Sequence, residues 1–187
     1  MNPSMAGKTL CLIALCTIAL PALAQTSGAA AAKKTPRHFV QEFYDWYTPV
    51  AQREKGVPGW EIAIKDRRSA FSRELVTELK EDFEVQSNCK EIVGIDFDPF
   101  LNNQDRAQHY GVAEIRQDGR IFRADVYGVQ SGERGKKPDV IAEFTEKAGH
   151  FNFVNFHYPE SDTNLLAILI APKPKCSALQ SPGKHGH

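Results

Sequence analysis

Three things are scarce in this 187-residue chain: charge of one sign, cysteine, and apolar runs beyond the first two dozen residues. Lys plus Arg and Asp plus Glu each number 23, so there is no excess of positive charge for a broad nucleic-acid footprint or an anionic lipid surface. No apolar stretch after residue 24 is long and uninterrupted enough to span a bilayer. Motifs of established chemistry are scarce as well. G-x-S-x-G, a Gly-rich phosphate loop, H-E-x-x-H and H-x-x-x-H are all missing, which argues against a nucleophile elbow, a phosphate cradle and a helical zinc site. What is present is a chain 42% hydrophobic, apolar enough for a packed core and too apolar for a disordered chain. Its length suits a single domain, or two very small ones.

The one long apolar run is at the start. A short polar segment carrying Lys8 leads into Thr9–Leu20, then Pro21 and the small-residue pattern Ala22-Leu23-Ala24. About a dozen apolar residues followed by A-x-A is the pattern of a secretory signal peptide, whereas a spanning helix needs about twenty. Cleavage is expected after Ala24, giving an exported chain, periplasmic or secreted, that begins at Gln25 and spans no membrane. The alternative is an uncleaved anchor, and Pro21 closes the run early for one. Lipidation fits poorly, because Cys16 follows Leu15 where a lipoprotein signal wants a small residue.

Cys11 and Cys16 leave with such a leader, so Cys89 and Cys176 remain. In an oxidising compartment an isolated pair is a disulfide candidate, and two unpaired thiols are the alternative. Pairing requires the tail to fold back beside the end of the second long helix.

Residues 25–34 (QTSGAAAAKK) read as a flexible lead-in, 35–171 as one folded domain, and 172–187 as a flexible tail. Thr35-Pro36 is a helix start, with Thr as cap and Pro in the first turn. Phe39, Phe43, Trp46, Tyr47 and Val50 then recur at helical spacing, and Pro49 is expected to end or kink the helix near Thr48. Such an aromatic stripe suits a core face better than a ligand pocket. Trp60–Ile64 fits strand or helix, with helix preferred. Phe71, Ser72, Glu74 and Val76 form a cap with a hydrophobic staple, and Leu75, Leu79 and Phe83 continue one face towards Val85.

After Cys89 the texture turns to strands. Tyr110–Arg116 and Arg120–Val129 flank Gln117-Asp118-Gly119, a hairpin signal. Pairing Gln117 with Arg120 sets Ile115 against Phe122, Ala113 against Ala124, Gly111 against Val126, and Glu114 against Arg123. Gln130–Pro138 reads as an exposed basic loop. Val140–Lys147 and Phe151–Tyr158 form a second hairpin around Ala148-Gly149-His150, and Ser161 or Asp162 caps a last helix, Leu165–Ile170. Helices first and antiparallel strands afterwards make an α+β fold.

FVQEFYDWY (Phe39–Tyr47), FSREL (Phe71–Leu75), EIVGIDFDPFLNNQD (Glu91–Asp105) and FVNFHYP (Phe153–Pro159), in that order, resemble the bacterial exported proteins grouped as domain-of-unknown-function family 3828. The resemblance covers Phe39–Leu169 and rests chiefly on the Asp96–Asp105 and Asn155–Pro159 segments. It implies a nuclear-transport-factor-2-like cone, with helices packed on a curved antiparallel sheet. It implies no activity and supplies no catalytic residues, because such cones host enzymes and binding modules alike.

The densest polar constellation runs from Asp96 to Asp105. Asp96, Asp98, Asn102 and Asp105 are oxygen donors of the kind calcium takes, although the Gly and Glu of an EF-hand loop are missing. The alternative is that Asp98 and Asn102 shape an irregular loop that Phe97 and Phe100 anchor to the core. His157 on the aromatic strand, or His109, could serve as an acid/base group with Asp96, Asp98 or Tyr110 as partner; a hydrogen-bonded core or rim histidine is the plainer reading. Among the aromatics, Trp60, Tyr110, Tyr127 and Tyr158 are candidate ligand contacts. Together these features favour a non-enzymatic exported module that binds an envelope protein or small ligand. The alternatives are a cone enzyme of dehydratase or isomerase type, and an immunity or inhibitor protein.

Overall fold

The computed structural model describes residues 34–53, 56–89, 93–102 and 107–173. The expected leader with its cleavage point, Asp105 and Cys176 lie outside the described residues.

Helix α1 spans Pro36–Ala51, and Thr35 caps it by accepting from the His38 N–H at 3.2 Å. It does not stop at Thr48 but runs through Pro49. A proline in the last turn removes only the bond to the Asp45 carbonyl, and Asp45 is exposed, so water can take that acceptor. Helix α2 spans Gly59–Asp66, a 3-10 turn follows at Arg68–Ala70, and α3 spans Arg73–Ser87. Ser72 caps α3 as expected, its Oγ accepting from the Leu75 N–H at 3.1 Å. Leu75 and Leu79 are fully buried, but Phe83 stays 38% exposed and packs edge-on against Trp60 of α2.

The strands are β1 (His109–Asp118), β2 (Ile121–Gln130), β3 (Glu133–Arg134), β4 (Val140–Lys147), β5 (His150–Tyr158) and β6 (Thr163–Asn164). They form an open antiparallel sheet in the order β1-β2-β4-β5-β6, with β3 on β2. The chain is therefore an α+β domain with its main helices ahead of the sheet. Inside the expected basic loop, Glu133 and Arg134 turn back to pair with Gln130 and Val129.

The first hairpin corrects the expected register. Asp118 pairs Ile121, so Gly119-Arg120 is the two-residue turn, and Ile115 pairs Ala124 rather than Phe122. Gly119 at φ +58° supplies the positive dihedral that a II′-type hairpin needs at its first central residue. A slip of two residues preserves which side chains face inward. A bulge between Val112 and Ile115 then shifts the remainder, so that Val112 meets Val126. The expected Glu114–Arg123 pair is replaced by Arg116 opposite Arg123. In the second hairpin His150 already belongs to the strand, opposite Lys147. Its turn, Ala148-Gly149, has positive φ at both residues.

Helix α4 (Leu165–Ile170) is capped by Asn164, which accepts from the Ala167 N–H at 3.0 Å, and not by Ser161 or Asp162. Asn155 adds a second acceptor for this helix, taking the Leu166 N–H at 3.1 Å.

One face of the sheet carries Phe122, Phe144, Phe151, Phe153 and Phe156, all buried. Phe39 and Phe43 of α1 lie on this face, with ring centroids 4.6 Å and 4.9 Å from Phe153. Helix α1 also covers the sheet's β1 edge with polar side chains. Gln41 accepts from the Val112 N–H and donates to the Tyr110 carbonyl, imitating a strand residue, while Arg37 donates to the carbonyls of Val112 and Ala113. At the β5 edge, the Ser72 N–H takes the Phe153 carbonyl at 2.8 Å. Backbone groups that would otherwise template aggregation are thereby occupied.

Candidate functional site

The Asp96–Asn102 segment is anchored in the core through Pro99, Phe100 and Leu101, all buried. Asp98 Oδ1 accepts from the backbone N–H groups of Phe100 and Leu101, and its Oδ2 accepts from the Tyr47 hydroxyl at 2.7 Å. Those bonds drive Phe100 inward, where it meets Phe43, Tyr47, Phe71 and Phe156. Two more buried hydroxyls hold the loop backbone: Tyr158 donates to the Pro99 carbonyl and Tyr44 to the Phe100 carbonyl, each at 2.9 Å. Asn102, in the left-handed region at φ +51°, donates to the Asp139 carbonyl. The oxygens a cation would need from Asp98 are thus engaged in shaping the loop. Melts in calcium and in chelator should coincide if these oxygens only shape the loop, and a calcium-dependent rise of several degrees would mark a metal site.

Burial drives the phenols of Tyr44 and Tyr158 well above their ordinary value, with the negative charge of Asp98 adding to both. The folded state therefore favours the neutral phenols. Their contribution is fully present below pH about 10 and is lost as pH rises above it. Absorbance at 295 nm against pH should show these two groups ionising together with unfolding; ionisation with intact near-ultraviolet circular dichroism would contradict this.

The opposite face of the sheet gathers charge. Strand alternation points Arg116 of β1, Arg123 and Asp125 of β2, Glu143 of β4 and His157 of β5 away from the rings. Arg116 grips Asp125 with both guanidinium nitrogens, at 2.5 Å and 3.2 Å. Glu143 Oε2 accepts from Arg123 Nε at 2.8 Å and lies 3.0 Å from His157 Nε2. Asp125 and the Glu143 side chain are largely covered, whereas Arg116, Arg123 and His157 remain partly open to solvent. Beside them Arg134 of β3 lies over the Tyr127 ring at 4.8 Å. The sheet so presents two guanidinium–carboxylate pairs, one joined to an imidazole, on a rigid support.

Among the described residues, neither candidate histidine meets the expected aspartates. His157 meets Glu143, and not Asp96 or Asp98, because consecutive residues His157 and Tyr158 point to opposite faces. His109 and Asp96 are exposed, and Tyr110 is buried beside Tyr44. Of the four candidate ligand contacts, Tyr110 and Tyr158 are core residues, Trp60 packs on Phe83, and only Tyr127 stands on the charged face. Sequence reasoning missed Glu143, Arg123 and Asp125 as a group. The available signal was a charged residue at alternate positions of two strands whose other side is apolar.

No protein-family model matches the chain, and comparison with curated proteins and with solved structures finds no match.

Proposed function

We propose that this chain is an exported member of family 3828, of cone type, acting as a non-enzymatic binding module in the cell envelope. Its recognition surface is the charged face of the sheet, and its ligand is an envelope protein or a small polar molecule. The observation that carries this reading is the separation of polarity. Rings fill the space between helices and sheet, while Arg116 with Asp125, and Arg123 with Glu143 and His157, stand as two bonded groups on the other face. Guanidinium groups already oriented by carboxylates lose little freedom on binding, and arginine and tyrosine are favoured where binding energy concentrates.

The His157–Glu143 contact supports a second reading. An imidazole oriented by a carboxylate is the arrangement that proton-transfer enzymes use. Turnover of a bound ligand that His157→Gln abolishes would favour this second reading, and a ligand recovered chemically unchanged from the intact chain would favour the binder.

The test is capture from the chain's own envelope with the form beginning at Gln25. The intact protein should retain a ligand that Arg123→Glu and Arg134→Ala each lose, with circular dichroism showing both variants folded. Equal retention by both would overturn the choice of face. N-terminal sequencing of the native protein should begin at Gln25, and a start at Met1 would overturn the export reading.

A further inference from the structure

We propose, on the reading of the charged face as a binding surface, that Tyr127, Arg134 and the gap at Gly111 form the subsite that contacts the ligand. That ligand is a small organic acid, a carboxylate carried on a flat apolar body.

The carboxylate is called for by an unmatched cation. On this face Arg116 is matched by Asp125, and Arg123 by Glu143. Arg134 has no carboxylate within ion-pair range among the described residues. It pairs opposite Val129, two positions from Tyr127 and so on the same side of the sheet, and its guanidinium carbon lies 4.8 Å from the centre of the Tyr127 ring. Strand alternation points the neighbouring Glu133 to the opposite side. A guanidinium resting on a ring is oriented without being neutralised, and it keeps the N–H fork that takes both oxygens of a carboxylate. Because the charges around it are matched in pairs, the attraction is made at contact by those hydrogen bonds.

The apolar body is called for by an open position. Gly111 of β1 stands opposite Tyr127, where pairing is regular and the bulge still lies ahead, beyond Val112. Its φ is not in the left-handed region, so the backbone there does not require glycine. A Cβ on Gly111 would meet no atom within 4 Å. A glycine inside a strand with nothing packed against it leaves a gap one side chain wide beside the ring, open to an incoming group.

Ring and cation are held ready. Ser131 and Gly132, both at positive φ, close the tight turn that returns the chain as β3. Gln108 ties this turn to the start of β1 from both ends: its N–H donates to Gln130 Oε1 at 3.1 Å, and its Oε1 accepts from the Ser131 N–H at 3.2 Å. On the other flank the Gly128 N–H donates to Asp139 Oδ2 at 2.6 Å. Little freedom is left to lose when a ligand arrives. One unmatched fork beside a gap of one side chain fits a small acid, whereas a protein partner needs a footprint of about 800 Å² on its side.

The test is titration of sodium benzoate into the isotope-labelled chain beginning at Gln25, followed by NMR at neutral pH. Benzoate should move the amide signals of Gly111 and Tyr127 and the Nε–H signal of Arg134 to saturation. Benzyl alcohol, which lacks the charge, and acetate and inorganic phosphate, which lack the ring, should each bind about fivefold more weakly or worse. Arg134→Lys keeps the charge and loses the fork, and Gly111→Val fills the gap with a residue that strands favour. Each should weaken benzoate by about fivefold or more without lowering Tm. Shifts that do not saturate, shifts confined to other parts of the chain, phosphate binding as tightly as benzoate, or unchanged affinity in either variant would each overturn the subsite. A captured ligand that needs Arg123 and Arg134 but is a protein, or lacks a carboxylate, overturns the small acid and leaves the binding face standing. Benzoate contacts as expected, with capture unchanged in Arg123→Glu and Arg134→Ala, would do the reverse.

Discussion

Phe100→Ala is expected to cost about 4 kcal/mol of stability and to lower Tm by about 10 °C. The ring is fully buried and touches rings from α1, from the segment before α3, and from β5. Its removal deletes the buried apolar area and leaves a cavity that three separate elements would have to move to fill. Leu at the same position should recover part of the loss, since volume is largely kept and the edge-on ring contacts are not. Urea unfolding followed by circular dichroism reads the difference. A cost below about 1 kcal/mol would show that the Asp96–Asn102 loop only lies on the surface, and the reading of Asp98 as a loop-shaping residue would fall with it.

The second large effect is expected at Asp82. Asp82→Ala should destabilise by about 3 kcal/mol, because it orphans the buried Ile95 N–H and leaves Lys173 without its anion. The Lys173 side chain is 21% exposed and can turn back to water, which keeps the cost at the lower end of the range for a broken buried pair. Gly94→Ala should cost about 2 kcal/mol by another route. Its φ of +81° is strained for any residue with a Cβ, and that Cβ would meet the Asp82 carboxylate. The two losses should not add, because both act on one contact. An additive double variant would show that Gly94 serves the turn alone.

How much of this was legible beforehand depended on how local each cause was. The caps at Thr35 and Ser72 are local, since side chain and N–H partner stand three residues apart, and both appear where the residues predict them. The element order and the apolar-in alternation of the strands are likewise carried by spacing. The registers were less accessible. The Asp118-Gly119 pair signals a hairpin, but the backbone uses Gly119 as the first central residue, which moves the pairing by two. The bulge at Val112–Ile115 lies where Gln41 and Arg37, some seventy residues earlier, take the strand's edge groups. No local pattern contains that information.

The charged face was hidden for the same reason. Glu143 meets His157 only because β4 and β5 share a bulge between Glu143 and Phe144, and Arg123 reaches Glu143 across a strand pair formed by residues twenty apart. Asp98 was more accessible. Its Asx-type bonds to Phe100 and Leu101 are local, and the loop-shaping reading followed from them, whereas its bond to Tyr47 spans 51 positions.

On the proposed binding reading, the charged face would let a near-neutral chain be selective. Each carboxylate there is already matched to a guanidinium, so a partner gains from added hydrogen bonds and not from net attraction. Binding should therefore weaken little with salt, in contrast to a surface that steers by excess charge.

The most direct test is calorimetric titration of the captured envelope ligand into the chain beginning at Gln25. The affinity should fall at least tenfold in Arg123→Glu and in Arg134→Ala, and stay unchanged in Lys80→Ala on the far side of α3. The reverse pattern, with Lys80→Ala weakened and both sheet-face variants intact, would contradict the account.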